Sequence, residues 1–339
     1  MKTLNLTFIF FICMFTKINS QSDPLSDLLA AGIEDAQRFA EGYTAPASEG
    51  LVYAINNGWF NSAKPLGRLK FEISVVGNTS FVKDENTSFN LDTTAYQNIS
   101  FADGNSSSRM VPTIFGASTS ETVSLSYDAG FDVDGIEDTT IDVLLPGGIG
   151  TSEFSFIPSA FLQLGFSPLK GTELKARIAP NLTYSDAKVN AYGFGIQQDL
   201  LFWLPMKKIL PIALSGVVAY TQLEGSYDLE SSSLIGGDNQ TLTVDVSSML
   251  YQLVLGTNLK IINFYGSLGF VDGETKTELL GEYIITDSNT VSDPIKISNE
   301  TSNMRTTLGT SLKFGFIGIN VDYTFSEYDS ANFGLNIGF

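Results

Sequence analysis

The chain has 339 residues, a formal net charge of −18, a single cysteine and no histidine. Without histidine, and with Cys13 inside an N-terminal apolar run, the common Zn, Cu and haem ligand sets and the Ser-His and Cys-His nucleophile pairs cannot be built. We therefore expect no cofactor, no metal and no enzyme activity. The acidic balance also excludes nucleic acid as the expected partner, because phosphate binding needs clustered lysine and arginine.

The N terminus predicts an export signal. Lys2 precedes the apolar residues 8–15, and the small Ser20 stands before Gln21, which is the order of a cleaved secretory signal. The apolar run is too short for a membrane-spanning helix. We expect residues 1–20 to be removed, together with Cys13.

Residues 21–65 predict a compact N-terminal element. In residues 23–40, large apolar side chains recur every three or four positions, which predicts a helix that Gly42 and Pro46 end. Residues 51–65 are apolar and rich in asparagine and glycine, and they are too irregular for a strand. The interpretation is a small helical hatch over residues 21–65.

From residue 66 onwards the period of apolar residues changes to two. Four segments (68–75, 173–178, 307–316 and 319–325) alternate large apolar side chains with polar or charged ones, and the last eight residues do the same. Weaker strands are predicted over residues 123–127, 154–166, 189–201, 212–222, 249–259 and 262–270. At about twenty residues per strand and loop, residues 66–339 hold roughly twelve to fourteen strands.

The connections indicate which β-fold this is. Residues 83–109, 132–150, 224–239 and 272–303 form long polar segments, whereas residues 167–171 form a short turn. Long loops on one side and tight turns on the other are typical of an outer-membrane β-barrel. The fold class is therefore all-β: a transmembrane antiparallel barrel of 12–14 strands with an N-terminal helical hatch. A secreted β-sandwich also explains the period of two, but it leaves the row of outward Phe and Tyr side chains without a reason.

The chain ends on Phe339, directly after an alternating strand. This ending resembles the C-terminal signal of Gram-negative outer-membrane barrels, which the barrel insertion machinery reads. The expected partners are therefore outer-membrane lipid and that machinery, and the expected location is the outer membrane.

Several motifs carry a further resemblance. Residues 56–65, 171–177, 192–200 and 211–216 are similar to segments of an uncharacterised outer-membrane family that has only a domain-of-unknown-function label. The architecture more distantly resembles long-chain fatty acid transporters, fourteen-stranded barrels closed by an N-terminal hatch. Their Asn-Pro-Ala triplet corresponds here to residues 61–63, without the proline. The resemblance implies passage of small hydrophobic compounds.

The candidate ligand or lumen residues combine the apolar tip of the hatch with basic side chains on the polar faces of strands. They are Trp59, Phe60, Asn61, Arg68, Lys70, Lys175, Arg177, Arg305 and Lys313. In one interpretation the cations orient amphipathic acids or other anions in the lumen. In the other they pair with carboxylates across neighbouring strands and stiffen the barrel. Those carboxylates are Glu72, Glu173 and Asp322.

Two interpretations also stay open for residues 21–65 and for the whole protein. The element is either a plug inside the barrel or a periplasmic cap that anchors a partner. The predicted function is a passive channel for small hydrophobic or amphipathic molecules. The alternative is a non-transporting surface scaffold, or a component of a secretion or adhesion assembly.

Overall fold

A computed structural model describes residues 28–29, 32–127, 139–149, 156–184, 186–203, 211–229, 236–286 and 289–339. The predicted export signal lies outside these ranges. Within them, no helix has both the length and the apolar character needed to cross a membrane.

The described residues form one helix, short 3-10 turns and many strands. The helix is α1 (Ile33–Ala54), and the 3-10 turns cover Asp84–Thr87, Thr93–Ala95 and Leu201–Trp203. The strands are β1 (Phe71–Phe81), β2 (Ser88–Asp92), β3 (Ile99–Phe101), β4 (Ser108–Pro112), β5 (Thr122–Tyr127), β6 (Thr139–Leu144), β7 (Phe156–Leu169), β8 (Thr172–Tyr184), β9 (Ala187–Asp199), β10 (Ile212–Asp228), β11 (Thr241–Thr257), β12 (Ile262–Leu280), β13 (Glu282–Thr286), β14 (Asn289–Ser292), β15 (Ile295–Phe314), β16 (Ile317–Phe325) and β17 (Ser330–Gly338).

Ten of the described strands close into an antiparallel barrel, in the order β1-β17-β16-β15-β12-β11-β10-β9-β8-β7 and back to β1. The predicted all-β antiparallel barrel with an N-terminal helix is confirmed. The predicted count of twelve to fourteen strands is wrong, because residues between β1 and β7 build small separate sheets. The predicted strand at 123–127 exists as β5, but β5 belongs to one of those sheets.

The alternation seen in the sequence becomes the two faces of the barrel wall. At the closing seam, Ile73 pairs with Ile337 and Val75 pairs with Leu335, and all four of these side chains are exposed on the outside. The intervening Ser74 and Asn336 are buried on the inside. An apolar outer band facing a polar interior is the pattern of a barrel surrounded by lipid.

The two ends of the barrel differ. Residues 170–171, 258–261 and 315–316 make short connections at one end, which we call the turn end and which also carries the longer connection 200–211. The opposite end, the loop end, carries the long connections 82–155, 229–240 and 281–294, besides two short ones. Strand β1 starts and β17 finishes at the turn end.

At the loop end, the small sheets β2-β4, β3-β5-β6 and β13-β14 cover an apolar core. This core joins residues of α1 and of the segment before it to the loop-end strands. Its buried members are Leu28, Leu29, Ala36, Phe39, Leu91, Ile99, Phe101, Val111, Val123, Leu125, Val143, Leu145, Leu279, Tyr283, Ile295 and Ile297. The described parts of the long connections therefore form a folded cap.

Helix α1 does not end where the sequence predicts. It continues through Gly42 and Pro46 to Ala54, so the prediction that these two residues terminate it is wrong. Leu51 and Val52, which follow the proline, are buried against the barrel wall, and such tertiary packing overrides local helix propensity. At Gly42, an added Cβ would lie 2.6 Å from the Phe89 ring, so glycine allows close approach of the cap.

Candidate functional site: a segment inside the barrel

Residues 33–65, which we call the inner segment, run through the barrel from the loop end to the turn end. The Asp35 carboxylate accepts a hydrogen bond from the backbone N–H of Asn98 in the cap, at 2.7 Å. Further along, Thr275 of β12 donates to the Ser48 carbonyl at 2.9 Å. At the turn end, Lys64 Nζ donates to Asn258 Oδ1 at 3.0 Å.

Two lumenal arginines bind the carbonyl groups just beyond the end of α1. Arg177 donates to the Ile55 carbonyl and, at 2.9 Å, to the Asn57 carbonyl. Arg305 donates to the Asn56 carbonyl at 3.5 Å and to the Asn57 side chain. Helix C-termini carry unpaired carbonyls and a partial negative charge, so cations are favoured there. The arginines therefore attach the inner segment to the wall.

Trp59 is completely buried in the lumen. The Arg177 guanidinium lies 3.8 Å from the Trp59 ring centroid and 4.3 Å from that of Phe161, which places the cation between two aromatic faces. On β9, an added Cβ at Gly193 or Gly195 would meet the Trp59 ring at 3.0 or 2.9 Å. These two glycines make the space that the indole fills.

Lys175 forms a second anchor. Its Nζ donates to the Trp59 carbonyl at 2.9 Å and lies 3.2 Å from Glu173 Oε1. The other Glu173 oxygen accepts from the Leu66 backbone N–H at 2.9 Å. The predicted pairing of Lys175 with Glu173 is thus present, but it joins residues of one strand and also holds the inner segment.

Phe60 and Asn61 contact other sides of the lumen. Phe60 packs edge-on against Tyr265, with ring centroids 5.7 Å apart, and the Tyr265 hydroxyl donates to Asp322 Oδ2 at 2.8 Å. Asn61 Nδ2 donates to Glu72 Oε1 at 2.6 Å. The structure therefore brings Trp59, Phe60 and Asn61 together with Lys175, Arg177 and Arg305.

Arg68, Lys70 and Lys313 do not join this group. Arg68 and Lys70 precede β1, Lys313 is next to the last residue of β15, and all three side chains are exposed at the turn end. The expectation of six inward-facing cations is corrected to three, because Arg68, Lys70 and Lys313 lie at the ends of their strands, outside the enclosed lumen.

An apolar cavity of about 120 Å³ lies between α1 and the loop-end halves of β9, β10 and β11. Its lining includes Ala47 and Leu51 of α1, Phe115 of the cap, and Val189 and Val244 of the wall. Sequence reasoning missed this cavity, since it expected the helix to end before residue 47.

The barrel wall is incompletely paired beside this cavity. The β7–β8 ladder stops at Leu162 and Ile178 on its way to the loop end, while β7 stays paired with β1 as far as Phe156. Pro158 lies in the part of β7 that is not paired with β8, and Pro180 lies in the bulged part of β8. Proline has no N–H to donate to a ladder.

A smaller cavity of about 30 Å³ lies at this break. It is lined by Ser159 and Phe161, which alternate inwards on β7, and also by Pro158 and Ala160, which alternate outwards. Leu51 lines both cavities. The small cavity therefore lies at the edge of β7 that is not paired with β8, next to the larger cavity.

The Glu49 carboxyl, in the α1 part of the inner segment, is expected to make the stability of the protein depend on pH. Burial raises the pKa of its carboxyl above the ordinary value, and the charge of Glu327 raises it further. Between the unfolded and the folded pKa, the folded state holds a proton that the unfolded chain releases. The stability that the protonated carboxyl contributes is therefore present below the unfolded pKa and is lost as pH rises through the folded pKa.

We therefore expect Glu49→Gln to raise the thermal unfolding midpoint at pH 7 and to change it little at pH 4, because the wild-type carboxyl is already neutral there. Thermal unfolding in detergent at both pH values measures this difference. Glu85→Gln, at an exposed position of the cap, is the matched control. An equal effect of Glu49→Gln at both pH values would contradict the assignment.

Comparison with known proteins gives a family. A model of a family of unknown function matches residues 1–339, and no curated protein matches. The chain is similar to the solved structure of Ail from Yersinia pestis (9% identity, covering 80% of this chain and 99% of that one, TM-score 0.23). It is also similar to the translocator domain of the autotransporter NalP from Neisseria meningitidis (10% identity, 94% and 99%, TM-score 0.31). The toluene transporter TodX from Pseudomonas putida is a third (9% identity, 82% and 69%, TM-score 0.25).

Proposed function

The chain belongs over its whole length to DUF6588, a family of unknown function, and from its own geometry we propose that it is an outer-membrane channel that passes small hydrophobic molecules passively. The observation that carries the proposal is the apolar cavity beside α1. A cavity with an apolar lining of this kind favours an apolar occupant over water. At about 120 Å³ it suits a compact molecule of a few carbon atoms up to one aromatic ring.

The break between β7 and β8 supports a route out of the cavity. A molecule in the cavity next to Leu51 is separated from the outer surface by the short part of β7 that is not paired with β8. The outer surface on either side is apolar, with Leu162 and Ile178 exposed. An apolar molecule can therefore leave sideways into lipid without crossing the polar turn end of the lumen.

The centre of the barrel does not provide this route. Trp59, Arg177 and Lys175 interlock there with almost no exposed surface. In this proposal the inner segment is a permanent seal against water and ions, and transport runs beside it. The lumenal cations serve the seal.

Filling the two cavities tests the proposal. Ala47→Phe places a ring in the larger cavity and Ala160→Phe places one at the break, so each is expected to reduce uptake of a labelled single-ring hydrocarbon to the level of cells without the protein. Ala102→Phe, at an exposed cap position, is the matched control. All variants are compared at equal amounts of heat-modifiable, folded barrel. Unchanged uptake in Ala47→Phe and Ala160→Phe would refute the channel.

The interlocked lumen also favours a second candidate, a non-transporting scaffold. A ten-stranded barrel whose interior is occupied by its own chain can simply present the folded cap above it. The uptake experiment separates the two functions, because a scaffold gives the same uptake for the wild type and for cells without the protein.

A further inference from the structure

The inner segment has a fixed direction, and its N-terminal part lies in the cap. Glu34 Oε2 accepts from Gln97 Nε2 at 2.9 Å, and Asp35 accepts from the Gln97 backbone N–H at 3.0 Å. About two turns of helix further on, the Tyr43 hydroxyl donates to the Gly147 carbonyl at 3.0 Å. Residues 33–43 are thus bonded to the loop end of the barrel.

The opposite part of the inner segment reaches the turn end. Gln197, two residues before the end of β9, donates to the Ser62 carbonyl at 2.8 Å. The segment then leaves the lumen at Leu66 and becomes β1. A 22-residue helix spans about 33 Å, which is comparable with the thickness of a bilayer core. The chain therefore passes through the barrel once before the first strand begins.

This direction has a consequence that rests on the proposed outer-membrane location. Short turns face the periplasm and long loops face the exterior in such barrels, so the loop end is the outer one. An N-terminal export signal, as the sequence predicts, delivers the chain into the periplasm. Residues 33–43 must then cross the outer membrane to reach the cap.

We infer that the barrel exports its own N-terminal segment, and that residues 33–43 are presented on the cell surface while residues 44–65 remain behind as the seal. The lumen is shaped to hold this chain. Gly273 of β12 leaves room for Val52, and Gly256 of β11 leaves room for Ala63, because an added Cβ would come within 2.8 and 3.0 Å of these side chains. Arg177 and Arg305 bind the chain mainly through main-chain carbonyls, which every passing residue offers.

The presented surface includes Glu34, Arg38 and Glu41, all exposed on α1. The opposite face of the helix is buried in the cap core through Ala36 and Phe39. The exported segment is therefore held as one ordered face of the cap, with acidic and basic side chains directed outwards.

Single introduced cysteines can report which side of the membrane a position lies on. The natural cysteine Cys13 does not interfere, because it lies in the predicted export signal. Glu41→Cys reports on the inner segment. Asn105→Cys is the matched control in the cap, and Lys260→Cys is the matched control in the turn between β11 and β12; all three positions are exposed. A membrane-impermeant maleimide is applied to intact cells and then to cells with a permeabilised outer membrane.

The expected result is labelling of Glu41→Cys and Asn105→Cys in intact cells, and of Lys260→Cys only after permeabilisation. Heat-modifiable migration of each variant establishes that the barrel is folded. If Asn105→Cys is labelled in intact cells while Glu41→Cys is not, the export inference is overturned although the outer-membrane barrel stands. If Lys260→Cys is labelled in intact cells and Asn105→Cys is not, the orientation is reversed and the inference is overturned as well. Neither result depends on hydrocarbon uptake, so failure of the channel proposal is distinguishable.

Discussion

Replacing Trp59 with alanine is expected to lower the free energy of unfolding by about 3 to 5 kcal/mol, the usual cost of removing a large aromatic side chain from a core. Trp59 is fully buried, and its loss leaves a void between Arg177 and the two glycines of β9. Urea unfolding of the purified barrel in lipid vesicles measures the change. Phe316→Ala is the matched control, because Phe316 is 61% exposed in a turn.

A double-mutant cycle identifies the cause of the loss. Gly195→Leu alone is expected to destabilise the protein, since its Cβ would meet the Trp59 ring at 2.9 Å. In the Trp59→Ala background the same leucine fills the void and is expected to recover part of the stability. The coupling between the two sites should be in the range of about 1 to 3 kcal/mol. Additive effects would show that Trp59 does not pack on β9.

Deleting residues 21–60 is expected to convert a non-conducting barrel into one with a stable ion current. The inner segment occupies the lumen between Arg177, Arg305 and Lys175, and its removal leaves a water-accessible path through ten strands. Planar-bilayer recording measures the current at equal amounts of folded protein. A deletion variant that folds and shows no current would contradict the sealing role.

The control for this deletion is removal of residues 282–292, the β13–β14 hairpin of the cap, which leaves the inner segment in place and is expected to leave the conductance unchanged. The exposed lumen of the first variant holds three basic side chains, and it also holds Glu72, Glu173 and Asp322. With both signs present, only weak ion selectivity is expected.

Much of the barrel could be predicted from the sequence, because a wall between two different environments gives a period of two. The clear alternation at 173–178 and 319–325 corresponds to β8 and β16. The alternation of neighbouring residues on the same strand also allowed the prediction that the side chains of Lys175, Arg177 and Arg305 point inwards.

The number of barrel strands and the path of the inner segment were harder to predict from the sequence. β10, β11, β12 and β15 have 17 to 20 residues and extend beyond the apolar band into the cap, so dividing the chain by an average strand length overestimates their number. Helix α1 continues past Gly42 and Pro46 because of contacts made far away in sequence. No local pattern reports such contacts.

The bonds between the buried cations and the inner segment also bear on how this family can diverge. Main-chain oxygens at positions 55 to 59 accept most of the hydrogen bonds from Lys175, Arg177 and Arg305, and these acceptors survive any substitution that keeps the backbone path. Related chains can therefore replace Ile55 with a residue of similar volume and keep the hydrogen bond from Arg177, while a change at one of the three cations alters the attachment at once. Divergence at such a carbonyl-bound position is in this way less constrained by the barrel than divergence at Trp59, whose ring is matched to Gly195.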